Sequence, residues 1–189
     1  MRYSKEHKAE TRQQILIQAA RHFLQDGIAG TGIAGLMAEA GLTHGGFYAH
    51  FASKDDLVAA SIASGFGHTR AALAKEAASG GIEAVIRLYL NARHRDLPAK
   101  GCIAATLSPE IARLPKPVRD SFTTEVTALL QLIADLLPGT WRKARREATA
   151  IALLTGMMGS LQLARAVSDH DLSDRILALG IEMALAAAH

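Results

Sequence analysis

The chain has 189 residues, of which 49% are hydrophobic and 5% aromatic, and its formal net charge is +3. That is enough chain for one large or two small domains around a substantial core. One cysteine excludes an internal disulfide or a thiolate zinc cluster and fits a reducing cytoplasm. The polar N-terminus does not read as a signal peptide. The longest uncharged run, Ala148 to Ala164, falls short of the ~20 apolar residues of a membrane span.

Ala and Leu abound, Val is scarce, and no stretch alternates with period two, so an all-α fold is expected. Arg2, Lys5, Lys8 and Arg12, set against Glu6 and Glu10, form a basic arm suited to a phosphate backbone. Glu10 to Gln25 reads as the first helix, with Ile15, Leu16, Ala19, Ala20, Phe23 and Leu24 on one stripe and Gly27 ending it. Thr31 to Ala40 reads as a short helix, with Thr31 near its N-cap and Ile33, Leu36, Met37 and Ala40 at helical spacing. Gly41 supplies a left-handed turn, and Thr43 caps a second short helix with Phe47 and Phe51 facing inward. Its other face carries His44, Gly45, Tyr48 and His50. Two short helices across a glycine turn, the second polar outside, make the layout of a helix-turn-helix DNA reader.

Gly41-Leu42-Thr43-His44-Gly45-Gly46-Phe47-Tyr48-Ala49-His50-Phe51, followed by Ser53-Lys54-Asp55-Asp56-Leu57, resembles the signature of the TetR family of bacterial transcriptional regulators. The resemblance implies a three-helix DNA-binding domain over residues 1–54. A larger helical ligand-binding and dimerisation domain would follow over 55–189. It places His44, Gly45 and Tyr48 toward the major groove, and Thr43, Tyr48, His50 and Lys54 at phosphates. Thr31 is assigned to the same DNA surface. The sequence departs from the family pattern in three places. Gly32 stands after Thr31 where a hydroxyl is common, His44 stands where Lys is common, and Gly46 where Ser or Thr is common. Gly45 and Gly46 weaken an isolated helix by roughly 1 kcal/mol each relative to Ala, and they let the backbone approach DNA closely.

Ser53 caps a fourth helix with Asp55 and Asp56 in its first turn, running to Ala78, with Gly65 and Gly67 flanking Phe66 as a loosening. Ser79-Gly80-Gly81 breaks it. Ile82 to Asp96 reads as one helix and Leu97 to Gly101 as a loop. Cys102 opens a helix toward Leu114 that Pro109 is expected to bend or restart. Its Gly-Cys opening also resembles one branch of the TetR family. Val118 to Leu137, Trp141 to Val167 and Asp171 to Ala188 are the remaining helices, roughly nine in all.

The last two helices carry more apolar surface than one bundle needs. Together with the resemblance, this points to a homodimer through a four-helix interface of Leu154, Met158, Gly159, Leu161, Ile176, Leu179 and Met183. A small apolar or amphipathic effector is expected among the helices between Ala59 and Val167. Phe66, Tyr89, Cys102, Leu107, Trp141, Met158 and Gln162 are the candidate lining, and each would equally suit an ordinary core. The function expected is a cytoplasmic, ligand-responsive repressor on a near-palindromic double-stranded DNA operator. The alternative is a regulator sensing electrophiles or oxidants through Cys102. No nucleophile motif, paired carboxylates or metal-spaced cluster appears, so neither an enzyme, a cofactor, a metal nor a membrane partner is expected. A non-specific architectural DNA binder is the remaining rival, distinguished by affinity that any duplex satisfies equally.

Overall fold

A computed structural model describes residues 5–189, with Lys5 in backbone only; Arg2 of the expected basic arm lies outside the described residues. Among them are nine helices and no strand. The helices are α1 (Lys5–Gly30), α2 (Ile33–Glu39), α3 (His44–Ala49), α4 (Lys54–Tyr89), α5 (Ala92–Asp96), α6 (Ile103–Ile111), α7 (Lys116–Asp135), α8 (Lys143–Ala166) and α9 (His170–Ala188). A 3-10 turn, Pro98–Lys100, joins α5 to α6.

The first three helices pack around one stripe. Ile15, Leu16, Ala19 and Phe23 of α1 bury against Leu36 and Met37 of α2 and Phe47 of α3. Gly27 sits at φ 78 and ψ 163, so α1 kinks there and makes one more turn instead of ending. The start of α2 differs from expectation. Its N-cap is Gly32, and the buried Thr31 donates its hydroxyl to the Gly27 carbonyl at 2.8 Å, closing α1. Gly41, at φ 70, ends α2 as read. The Leu42 N–H reaches the Met37 carbonyl at 2.8 Å and the Gly41 N–H reaches Ala38 at 3.0 Å, the paired bonds of a Schellman stop.

The helix α4 starts on its expected cap, since Ser53 Oγ accepts the Asp56 N–H at 3.1 Å. It kinks at Gly80 and Gly81, as the Ser-Gly-Gly break implied. Gly65 does not loosen it. A Cβ there would overlap the Ile103 side chain, so Gly65 is the slot through which α6 packs on α4. Residues 82–96 are two pieces, not one helix. Leu90 leaves the helical region, and Asn91 caps α5 by accepting the His94 N–H at 2.8 Å.

Pro109 does not restart α6, which runs through it from Ile103 to Ile111. A proline lacks the N–H that would bond four residues back, so the Ala105 carbonyl is left free. Gln162 Nε2 of α8 donates to that carbonyl at 2.6 Å and replaces the missing bond. The helix α8 begins at Lys143, and Trp141 lies in the preceding turn with the Arg145 guanidinium 3.4 Å above its ring centroid. Asp169 caps α9 through the Asp171 and Leu172 amides.

The all-round apolar character of α8 divides between two faces. Leu154 and Leu161, expected at a dimer interface, are buried within the protomer core beside Leu153 and Met157. Met158 and Ile176 are half-buried and Gly159 is exposed. Leu179 is 54% and Met183 73% exposed, and Ile151 and Leu163 of α8 are also open.

Candidate nucleic-acid interface and effector cleft

The helix α3 is wound as a 3-10 helix, the tighter form used in short pieces. Thr43 caps it, accepting the Gly46 N–H at 3.3 Å. Phe47 is fully buried and stacks on Phe51 at 5.6 Å, with the Arg12 guanidinium 4.7 Å from the Phe51 ring. That anchor turns His44, Gly45 and Tyr48 outward together. Tyr48 is 64% exposed and meets His44 edge-on at 6.2 Å. A Cβ built on Gly45 would meet nothing within 4 Å, and one on Gly46 only ordinary contacts at 3.6 and 3.9 Å. The protomer's own packing requires neither glycine, so the bare backbone is available to whatever α3 faces.

The flanking residues are placed unevenly. His50 carries a buried Nδ1 with no partner, and burial, with the Lys8 and Arg12 charges beside it, lowers its pKa. Lys54 is half-buried and donates to the Thr31 carbonyl at 2.7 Å, tying the α1–α2 corner to α4. Thr31 is turned inward by its own bond to Gly27 and offers no free hydroxyl on this surface. Two residues take roles that the sequence reading did not give them. Arg12 steadies Phe51, and His22 bridges Glu39 of α2 at 2.8 Å and Asp26 at 3.2 Å. The Glu39 bond leads in raising the His22 pKa.

A cleft of about 630 Å³ lies between α1, α4 and the segment from Leu88 to Ile103. Of the seven residues expected to line a pocket, it includes Tyr89 and Cys102. The other five are placed elsewhere. Phe66 packs edge-on against Phe122 at 5.6 Å, and Leu107 is core. Trp141 stacks under Arg145, Met158 lies half-buried on α8, and Gln162 serves Ala105. The wall the sequence reading missed is α1, through Ile17, Ala20, Arg21 and Leu24.

The cleft floor has a fixed hydrogen-bond order. The Cys102 N–H donates to His94 Nε2 at 3.0 Å, which makes Nε2 the acceptor. His94 Nδ1 therefore carries the proton and donates to the Tyr89 carbonyl at 2.7 Å. Burial lowers the His94 pKa, and nearby Arg165 lowers it further, which agrees with a neutral ring. Arg165 donates to the carbonyls of His94 at 2.6 Å and Arg95 at 3.2 Å and to Thr106 Oγ1 at 3.2 Å. Cys102 is 3% exposed.

One contact joins cleft and reading head. Glu110, at the far end of α6 from Cys102, accepts the Ile28 and Ala29 amides at 2.8 and 3.1 Å. A side chain at Gly27 would strike Glu110 Oε1 at 2.7 Å, so the α1 kink and the carboxylate fit one another.

Comparison with known proteins agrees with this geometry. Residues 15–61 match the family described as "Bacterial regulatory proteins, tetR family". HTH-type transcriptional regulator TtgR of Pseudomonas putida is 42% identical over 64 residues, 34% of this chain and 30% of that protein. AcrR of Shigella flexneri, another HTH-type transcriptional regulator, is 43% identical over 56 residues, 30% of this chain and 26% of its own length. The chain thus matches under a third of the length of these curated relatives. The fold extends further. A TetR-family regulator from Cytophaga hutchinsonii superimposes over 98% of both chains with a TM-score of 0.79 at 18% identity. Escherichia coli NemR in its reduced form matches 90% of this chain and 95% of its own with a TM-score of 0.71 at 20% identity. Residues 15–61, which span α2 and α3, match the tetR family of bacterial regulatory proteins, and the described chain takes the fold of solved TetR-family regulators.

Proposed function

We propose that this chain is a cytoplasmic, DNA-binding transcriptional regulator, acting as a homodimeric repressor that a small molecule releases from its operator. Residues 1–54 serve as the reading head and 55–189 as the effector and dimerisation unit. The observation that carries the reading is the outward face of α3. His44, the unobstructed Gly45 backbone and Tyr48 stand together on a helix anchored from behind by Phe47. In this architecture the first turn of the reading helix meets base edges, while phosphate contacts fix its register. His44 can donate to a guanine or accept from an amino group, depending on its tautomer. Thr43, His50 and the remaining Lys54 donors flank it on the phosphate side.

The exposed apolar face of α8 and α9 supports a two-fold pairing that presents two α3 helices to successive major grooves. An effector in the α1–α4 cleft would act by binding one head orientation better than the other, since equal affinity shifts nothing. The Glu110 bond to the α1 kink is the route by which α6 can impose that preference. The alternative of sensing through Cys102 is not favoured, because the thiol is buried and its backbone is held by His94.

The test is to recover genomic fragments that the purified protein retains, and then to ask which small molecules release them. Enrichment of a near-palindromic sequence is expected. Uniform retention of all fragments would contradict the reading and favour a non-specific binder.

A further inference from the structure

The cleft has a charge balance that matches one ligand chemistry. No Asp or Glu is among its lining residues, while Arg21 of α1 and Arg93 and Lys100 of the opposite wall stand at its rim. None of these three forms an ion pair among the described residues, although Arg70, Arg87, Arg95, Lys116 and Lys143 all have carboxylate partners. The nearby carboxylates are committed elsewhere, Asp96 to Arg95 and Glu110 to the α1 amides. Beneath the rim, Arg165 is partly buried with only carbonyl and hydroxyl acceptors. Its guanidinium lies so close under Gly101 that a Cβ there would be 2.7 Å from it. A charge taken out of water without a counter-charge is costly, and an arriving anion offsets that cost.

A second, independent feature points to a ligand. Tyr89 lines the cleft and is 2% exposed, and its buried hydroxyl has the Cys102 thiol as its polar neighbour but no nitrogen or oxygen partner. Burial, with the Cys102 thiol beside it, raises the Tyr89 pKa, so the hydroxyl keeps a proton to donate. Buried hydroxyls are normally satisfied, so this one has bonding capacity left over. The rest of the wall is apolar, including Leu73 and Ile103.

We propose that the cleft is a binding site for an amphipathic monoanion, a carboxylate on an acyl or aryl body. Its head group lies among Arg21, Arg93 and Lys100, and its apolar body lies against Leu73 and Tyr89. Because Arg21 belongs to the reading head and the other two cations to the effector unit, the anion would join like charges that otherwise repel across the cleft. This assignment rests on the reading of the protein as ligand-responsive, for which it names the effector class.

Isothermal titration of the full chain with 2-naphthoate, 2-naphthylmethanol and 2-naphthylmethylamine, and with octanoate, tests it directly. The carboxylate is expected to bind about tenfold or more tighter than the alcohol and the amine weakest of the three. The double variant Arg93→Glu, Lys100→Glu is expected to lose about tenfold in carboxylate affinity, and Tyr89→Phe a few-fold, with wild-type helical signal in both. Equal affinity for the three naphthyl probes, carboxylate affinity unchanged in the double variant, or no binding of either carboxylate would overturn the site. Duplex binding is measured separately on the same samples. A failed anion site with intact sequence-specific duplex binding leaves the regulator reading standing. Tight anion binding that never alters duplex affinity upholds the site and removes the ligand response.

Discussion

Gly45 and Gly46 make the sharpest residue-scale case that α3 is shaped for a partner and not for its own stability. Alanine is a better helix former than glycine by roughly 0.5–1 kcal/mol, and neither position has an obstacle to a methyl group. Gly45→Ala is therefore expected to raise the melting temperature slightly while weakening duplex binding, read by thermal melting and fluorescence anisotropy on one preparation. Gain or loss of both together would tie the glycine to folding alone. His94 supplies a pH-dependent prediction. Its folded pKa lies below the ordinary value, so the unfolded chain binds more protons in the window beneath about 6.5, and the stability it contributes is present above that value and lost as pH falls. His22, held between Glu39 and Asp26, has the opposite sign: its contribution is full below about 6.5 and fades as pH rises through its elevated pKa. Urea midpoints taken between pH 8 and pH 5 should fall less steeply toward acid in His94→Asn than in wild type, and more steeply in His22→Asn.

Among the elements, α6 has the most to explain. It carries a proline in its body, meets the cleft at Cys102 and Ile103, and meets the reading head at Glu110. Removing Gln162 leaves the Ala105 carbonyl unpaired, and removing Glu110 leaves two amides of the α1 kink unpaired. Each of Gln162→Ala and Glu110→Ala is expected to cost about 1–3 kcal/mol in urea unfolding. Glu110→Ala should in addition weaken the effect of a bound effector on duplex affinity, whereas Gln162→Ala should leave that coupling in place. Equal coupling in wild type and Glu110→Ala would place the route elsewhere. Gly27 kinks α1 without ending it, whereas the Gly41 turn, the Ser53 cap and the Gly80–Gly81 kink were legible because each has a chemical cause within a few residues. The break at Leu90 was not, because Leu88, Tyr89 and Ala92 keep helical spacing across it and only the Asn91 side chain stops the first piece and starts the second. The restart expected at Pro109 is absent for the complementary reason. The proline's missing bond is restored by a residue 57 positions away in sequence, which no local rule can see.

For the whole molecule, the apolar surplus of α8 and α9 was readable, but which of its residues enter the protomer's own core was not. An all-round apolar helix announces two neighbours without saying which side meets which. Leu154 and Leu161 went to the protomer's own core, leaving Ile151, Leu163, Leu179 and Met183 as the open face. Leu179→Glu and Met183→Glu are therefore expected to give a monomer in sedimentation with normal helical content, while Leu154→Glu should instead unfold the protomer. A Met183→Glu, Leu179→Glu protein that remains dimeric would move the interface off α8 and α9. The cleft escaped the sequence reading because one wall belongs to α1, a helix assigned wholly to the reading head, and because its cations come from two segments far apart in the chain.

The claim on which the rest depends is that the chain reads base sequence through the outward face of α3. Fluorescence anisotropy on a retained genomic duplex and on a random duplex, each at several salt concentrations, tests it with wild type and His44→Ala. Wild type is expected to prefer the retained duplex, with both affinities falling as salt rises. His44→Ala is expected to lose about 1–3 kcal/mol on the retained duplex and little on the random one, with the salt slope unchanged. Equal affinity of the wild type for both duplexes, or an equal loss from both in His44→Ala, would contradict the account.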